Sequence, residues 1–207
     1  MRSLTDVLIF ASAALAVASG SMTAFGLRRH RYAGWLWWVG AMWLTTAGTL
    51  LGALLPGPLG TALAAPLLIQ WPLITLVGLR RFQPRQAWPG SDRVDWWLLV
   101  LAASGAAVGS LRLDSDGPLL ITCCGMAAHL YAAAVLFMAP TDRDATPVQG
   151  LAAVMALAAF GPGLASLPGA DPAWPLQARA AAAALGAIVL ASVAQTLVCE
   201  RTERQLR

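Results

Sequence analysis

Polar side chains inside the apolar stretches are the residues of this sequence best placed to do chemistry, and they are few. They are Thr45, Thr46, Gln70, Thr122, His129 and Gln195. A polar group in such a stretch loses its hydration, so it needs a hydrogen-bonding neighbour or a ligand. The sequence has no Walker loop and no zinc-protease or serine-hydrolase motif. The set therefore indicates binding or packing, and no catalytic motif is evident.

Two of these residues could share a pocket. Gln70 and His129 fall at similar depths in their predicted helices, and at a rise of 1.5 Å per residue His129 lies roughly 15 Å from one helix end. Pro72 removes a backbone hydrogen bond and bends its helix, which can open a cavity. We predict that Gln70, Trp71, His129 and Thr45 line a pocket for a hydrophobic small molecule. The alternative is that the glutamine and histidine only hydrogen-bond a neighbouring helix.

The spacing of cysteine and histidine does not favour a metal or haem site. Cys123 and Cys124 precede His129, but adjacent residues point to different helix faces. His30 lies in a predicted loop, beyond reach of a haem bound by His129. Cys199 falls at headgroup level, a position compatible with palmitoylation. We predict no metal and no cofactor, and leave any redox or lipidation role of the cysteines open.

The elements that must position these residues are membrane-spanning helices. Hydrophobic residues make up 58% of the chain and charged residues 12%, about half the charged fraction of a soluble domain. Apolar runs of about twenty residues, enough to cross a bilayer, recur along the chain. We predict an all-α polytopic membrane protein, a seven-helix bundle with spans at 4–27, 32–55, 61–79, 94–111, 119–138, 148–167 and 179–199. Gly161-Pro162-Gly163 is expected to break or kink the sixth span.

The arginines predict the orientation of the chain. All 14 basic residues are arginine; eleven fall in one set of loops with the C-terminal tail, and three in the other set. Positive charge stays in the cytoplasm, so we predict an outside N-terminus and a cytoplasmic C-terminus in a bacterial inner membrane. The lack of lysine excludes a retinal Schiff base. The net charge of +4 is attributed to topology, with the lipid bilayer as partner and no nucleic acid.

Tryptophans cluster at the predicted cytoplasmic ends of the second and fourth spans. They are Trp35, Trp37, Trp38, Trp88, Trp96 and Trp97. Tryptophan is enriched at both membrane interfaces. We therefore expect these side chains to form an aromatic belt at the headgroups.

The last span continues into a charged segment without a stop signal. Residues 200–207, which include Glu200 and Arg204, are good helix formers, so we predict that they begin a cytoplasmic coupling helix. Within the span, small or polar residues recur every fourth position. They are Ala183, Ala187, Ala191 and Gln195. This spacing permits close helix packing, either within the bundle or with the same helix of a second subunit, and we predict a homodimer through the seventh helix.

Several short motifs carry a family resemblance. They are Trp35-Leu-Trp-Trp38 with Gly40 and Leu44, Gly48 with Leu51, the Pro56 turn, Gly78-Leu-Arg-Arg-Phe82 and Glu200-Arg-Thr-Glu-Arg204. In these motifs and its architecture the chain resembles the N-terminal seven-helix membrane region of bacterial diguanylate cyclases. Those proteins carry a C-terminal GGDEF domain that makes cyclic di-GMP. That domain is absent from this sequence, so we expect a sensor fragment or a stand-alone relative, and no cyclase residue is carried over.

These patterns favour a membrane-embedded sensory domain. We expect it to regulate a cytoplasmic output domain, a diguanylate cyclase by resemblance, through the seventh helix. One alternative is a small membrane transporter or channel, which would need a continuous polar path. A second is a structural membrane subunit with a fixed partner. A third is a membrane enzyme that uses His129 on lipid headgroups, but no carboxylate or second histidine is predicted beside it.

Overall fold

The computed structural model describes residues 2–28, 32–55, 57–84, 86–112, 116–139, 145–165 and 174–206. In these residues the chain is all-α, as predicted, and forms seven helices. The helices are α1 (Arg2–Arg28), α2 (Trp35–Leu54), α3 (Pro58–Phe82), α4 (Asp92–Leu111), α5 (Asp116–Met138), α6 (Ala145–Ala165) and α7 (Trp174–Leu206). Five arginines used to predict the orientation lie outside the described residues, as do residues 166 and 167 of the predicted sixth span. These arginines are Arg29, Arg31, Arg85, Arg143 and Arg207.

Five stretches in the described residues are long and apolar enough to cross a membrane. They are Leu8–Leu27, Leu59–Phe82, Asp92–Leu111, Asp116–Met138 and Ala180–Thr202. In α6 the apolar stretch Val148–Phe160 is shorter. Helix α2, which contains four tryptophans and three threonines, is not among these five stretches. Five such helices agree with the prediction of a membrane-embedded protein.

Glycines with positive φ determine where α2 and α3 begin. Gly34 has a φ of 97°, and α2 starts after it at Trp35, three residues later than the predicted span. A Cβ atom at Gly34 would overlap the carbonyl oxygen of Gly78, so the contact between α2 and α3 also requires a glycine. Gly57 has a φ of 90° and precedes Pro58, which fits the first turn because its missing N–H has no helical partner there.

The glycine and proline motif near the end of α6 does not terminate the helix. Residues 161–163 are helical, and α6 continues to Ala165. Likewise, Pro66 and Pro72 lie inside α3, which remains one helix. Proline within a helix frees a carbonyl group, and in a membrane bundle neighbouring helices or small local adjustments can satisfy it. The proline signals therefore mark interruptions of the hydrogen-bond ladder and not helix ends.

Helix α3 is the centre of the bundle. Helices that follow each other along the chain pack together, α7 contacts α1, and α3 contacts α2, α4, α5 and α7. In the apolar stretch of α3 72% is buried, compared with 28% in α4. The outer helices keep exposed apolar residues on one face, so residues of α3 are in the best position to connect distant parts of the fold.

Two tryptophans expected in the interfacial belt are instead part of the core. Trp38 is fully buried and Trp35 is 7% exposed, and the Nε1 of Trp38 donates a hydrogen bond to the Thr75 carbonyl oxygen in α3 at 3.2 Å. Phe82 packs against Trp38, with ring centroids 5.2 Å apart. Burial of these rings stabilises the contact between α2 and α3 at the end of the bundle where α2 begins.

Candidate functional site

Arg80 and Asp95 form a buried ion pair between the last turn of α3 and the first turn of α4. The Nε of Arg80 lies 2.7 Å from Oδ2 of Asp95, and the side chains are 5% and 0% exposed. The positive end of the α4 dipole also favours a carboxylate in this turn. We call this end of the bundle, where α3 ends and α2 and α4 begin, the arginine-rich end. The pair fixes the relative positions of α3 and α4 there.

The loop between α3 and α4 folds over the guanidinium group. Nη2 of Arg80 donates a hydrogen bond to the Pro89 carbonyl oxygen at 2.7 Å, and Nη1 donates one to that of Gly90 at 3.3 Å. Gly90 adopts a φ of 77°, which favours glycine. Trp88 lies under the same guanidinium, 5.9 Å from Cζ to the ring centroid. These contacts compensate part of the cost of burying the cation.

Tyr131 connects a third helix to the ion pair. Its hydroxyl, on α5, donates a hydrogen bond of 2.7 Å to Oδ1 of Asp95. Asp95 therefore receives contacts from α3 and α5 while it is itself part of α4. Asp92, the other acid in the first turn of α4, is more peripheral: its carboxylate is 3.9 Å from Arg80 Nε and 55% exposed.

This network is absent from the predictions made from sequence. Arg80 is used there only for topology, and Asp95 is not among the polar residues predicted to matter inside spans, although the predicted fourth span contains it. The available signal was a carboxylate in the first turn of one span soon after an arginine in the last turn of the span before it. Opposite charges at adjoining helix ends can form an ion pair.

A second cluster at the arginine-rich end holds α7 where its apolar stretch ends. Nη1 of Arg201 donates a hydrogen bond of 2.8 Å to the carbonyl oxygen of Phe82, the last residue of α3. The guanidinium also lies over the rings of Tyr32 and Phe82, at 5.5 Å and 5.1 Å from their centroids. The hydroxyls of Tyr32 and Thr202 are hydrogen-bonded at 2.9 Å. We call these four residues the α7 junction.

Of the predicted pocket residues, the structure brings Trp71 and His129 together. Their rings meet edge to face with centroids 5.4 Å apart, and Nδ1 of His129 is hydrogen-bonded to the Gly125 carbonyl oxygen at 2.8 Å. Both rings line a cleft of about 10 Å³, the size limit for a single water molecule. The other lining residues are Leu68, Ile69, Gly125, Ala158 and Ala182.

The other predicted pocket residues are not among those lining this cleft. Gln70 is half-buried, and Thr45 is buried in α2 with its hydroxyl donating to the Ala41 carbonyl oxygen at 2.7 Å. Thr46 makes a similar bond within α2 and also contacts Ser19 of α1 at 3.0 Å. Thr45 and Thr46 therefore have packing partners, and ligand binding by the predicted set stays a prediction.

The predicted small-residue face of α7 packs inside the bundle at two of its positions. Ala183 is 1% exposed and Ala187 is 3% exposed, whereas Ala191 and Gln195 are half-buried. Directly before Ala187, Gly186 packs on Trp71, and a Cβ atom there would overlap the indole ring. The sequence left open whether this face packs within the bundle or between subunits. In the structure, the two buried alanines pack within the bundle.

The charged end of α7 is helical, as predicted, up to Leu206. Glu200 is half-buried and follows Cys199, which is exposed on the outward face. Arg204 lies in this helical segment, and its side chain is outside the described part of the chain. The described residues contain no group of three histidine, cysteine, aspartate or glutamate side chains placed to bind a metal ion.

Comparisons with protein-family models, with curated proteins and with solved structures find no match to this chain. Function is therefore inferred from the sequence and from the contacts described above.

Proposed function

We propose that the chain is a sensory membrane domain that transmits a signal to a cytoplasmic output domain through α7. The observation that carries the proposal is the α7 junction. Helix α7 continues from an apolar stretch into a charged segment, and Arg201 ties this transition to the end of the central helix α3. A change in the packing of α3 therefore reaches the cytoplasmic part of α7 through direct contacts.

The proposed topology has seven spans, with the N-terminus outside and the C-terminus in the cytoplasm of a bacterial inner membrane. It requires that α2 and the shorter apolar stretch of α6 also cross the bilayer. The distribution of arginine supports the orientation. In this orientation the ion pair, Tyr131 and the α7 junction all lie at the cytoplasmic end, next to the point where α7 leaves the membrane.

A hydrophobic ligand is the proposed signal. Trp71 contacts both the histidine at the cleft and, through Gly186, helix α7. A ligand that enters between these helices would have to move Trp71, because the cleft itself has room for little more than one water molecule. Such a displacement would act on α7 directly, and it would be one physical route from binding to output.

A homodimer through α7 would use the outward face of this helix. Exposed residues recur there at helical spacing, and they include small polar residues that allow close packing of two helices. They are Ala181, Leu185, Ile188, Ser192, Thr196 and Cys199. Paired α7 helices would bring two output domains together, and by resemblance this output is a diguanylate cyclase.

The native cysteines allow a direct test of the dimer. Cys199 is exposed on α7 and Cys123 is exposed on α5. With the other cysteines replaced by serine, oxidation in native membranes should cross-link two chains through Cys199 and not through Cys123. Equal cross-linking at the two positions would indicate random collision and contradict an α7 dimer.

Signal transmission is tested by fusing a GGDEF catalytic domain after Arg207 and measuring cyclic di-GMP in membranes. Arg201→Gln removes the hydrogen bond to Phe82 and should change output severalfold, because α7 loses its attachment to α3. Arg112→Gln is the control, since Arg112 is an exposed arginine at the other end of α4, away from the α7 junction. Equal output from all three proteins would contradict transmission through the junction.

A second measurement in the same fusion tests whether output depends on the rotation of the output domain about the axis of α7. Insertion of five residues after Arg204 rotates the output domain by about 140° relative to α7, whereas insertion of seven residues restores nearly the same face. Output should be altered by five residues and largely recovered by seven. Insensitivity to both insertions would mean that α7 acts only as a tether.

A further inference from the structure

Two exposed arginines and two tryptophans form a continuous surface at the arginine-rich end. The guanidinium carbon of Arg81, in the last turn of α3, lies 4.8 Å from the centroid of the Trp37 ring in α2. Trp37 meets Trp96 of α4 edge to face, with centroids 5.3 Å apart. Arg93 precedes Trp96 by three positions, so both lie on one face of α4. We call these four residues the Arg81 surface.

The carboxylates in the described part of the chain do not neutralise the charge of this surface. In the described residues, no carboxylate forms an ion pair with Arg81 or Arg93. Asp92 and Asp95 are both directed to Arg80, at 3.9 Å and 2.7 Å. Arg81 and Arg93 are exposed, whereas Trp37 and Trp96 are half-buried. The surface therefore offers one cation held over the Trp37 ring and a second on the face of α4 that carries Trp96.

The position of the surface matches the boundary between hydrocarbon and headgroups. On α4, Trp97 is 69% exposed, and Val100 and Leu101, the next outward residues, are 50% and 62% exposed. An apolar outer face that ends in tryptophan and then arginine is the pattern expected where a helix leaves the acyl region. Anionic groups at this level belong to phospholipids.

We propose that the Arg81 surface binds the phosphate headgroup of an anionic phospholipid. Arg81, oriented by its contact with Trp37, donates hydrogen bonds to the phosphate, because a guanidinium presents paired N–H groups in a geometry that fits phosphate oxygens. Arg93 contributes a second positive charge. The acyl chains lie along the apolar outer face of α4. This binding site is independent of the proposed sensory function.

Native mass spectrometry of the purified chain with phosphatidylglycerol and phosphatidylcholine tests the proposal. The wild-type chain should retain phosphatidylglycerol in preference to phosphatidylcholine. Arg81→Gln should lower the affinity for phosphatidylglycerol about fivefold, the effect expected for one cation near an anionic bilayer surface. Arg112→Gln is the matched control, because Arg112 is exposed at the opposite end of α4, and it should leave the affinity unchanged.

Arg81→Lys distinguishes the contribution of the positive charge from that of the planar guanidinium group. It retains the cation and should bind phosphatidylglycerol more strongly than Arg81→Gln but less strongly than the wild-type chain, because lysine has no planar group to pair with phosphate. Circular dichroism and gel filtration establish that each variant is folded. Equal losses in Arg81→Gln and Arg112→Gln would overturn the proposal, as would equal retention of the two lipids by the wild-type chain.

Discussion

The Arg80 guanidinium and the Asp95 carboxylate meet at 2.7 Å in a part of the bundle where both side chains are almost completely buried. Because Asp95 also accepts a hydrogen bond from Tyr131, this one carboxylate joins α3, α4 and α5. Two residues after Arg80, the carbonyl oxygen of Phe82 accepts the hydrogen bond from Arg201 of α7. The end of α3 therefore connects the buried charges to the α7 junction.

Removal of the buried carboxylate should strongly destabilise the fold. Asp95→Ala leaves the Arg80 guanidinium buried without its counterion, and a loss of about 3–5 kcal/mol is expected for one partner of a buried pair. Asp92→Ala is the matched control, because Asp92 is half exposed and 3.9 Å away, and it should cost less than about 1 kcal/mol. Unfolding followed by circular dichroism in mixed micelles measures both. Similar losses would mean that the pair has no special role.

A methyl group at Gly186 should separate α7 from α3. Its Cβ atom would overlap the Trp71 ring, and overpacking of this kind costs about 1–3 kcal/mol. Gly20→Ala is the control, since a Cβ at that position in α1 would have no atom of another helix within 4 Å. We expect a lower unfolding midpoint for Gly186→Ala only. An unchanged midpoint would show that Trp71 can move away without cost.

The helical, membrane-embedded architecture could be predicted from sequence because apolar stretches of spanning length identify membrane helices directly. The site could not be predicted to the same extent. Trp35 and Trp38 have the composition of an interfacial belt, yet the glycines at 34 and 78 let α2 approach α3 closely and bury them. Such a contact depends on the pairing of two helices, which neither helix encodes alone.

Ligand binding at the cleft is predicted to depend on His129. His129→Leu removes a polar ring that packs on Trp71, and it should reduce a bound small-molecule mass in native mass spectrometry of gently extracted protein. Thr122→Val is a control at another buried polar site on α5. Retention of the same bound mass in His129→Leu would assign this residue to packing.

Substitution by leucine should have different effects on the small-residue face of α7, which contains Ala187, and on its outward face. Ala187 is 3% exposed within one chain, so Ala187→Leu should lower the stability of the bundle by about 1–3 kcal/mol and leave Cys199 cross-linking of the folded fraction unchanged. Ser192 is exposed on the face proposed to form the dimer. Ser192→Leu should therefore reduce Cys199 cross-linking and leave the stability of the bundle unchanged. Ser104→Leu, at an exposed serine of α4, controls for added volume away from α7. If Ala187→Leu instead abolished cross-linking at unchanged stability, the small-residue face would pair between subunits, and the two copies of α7 would have to exchange their intramolecular contacts on dimerisation.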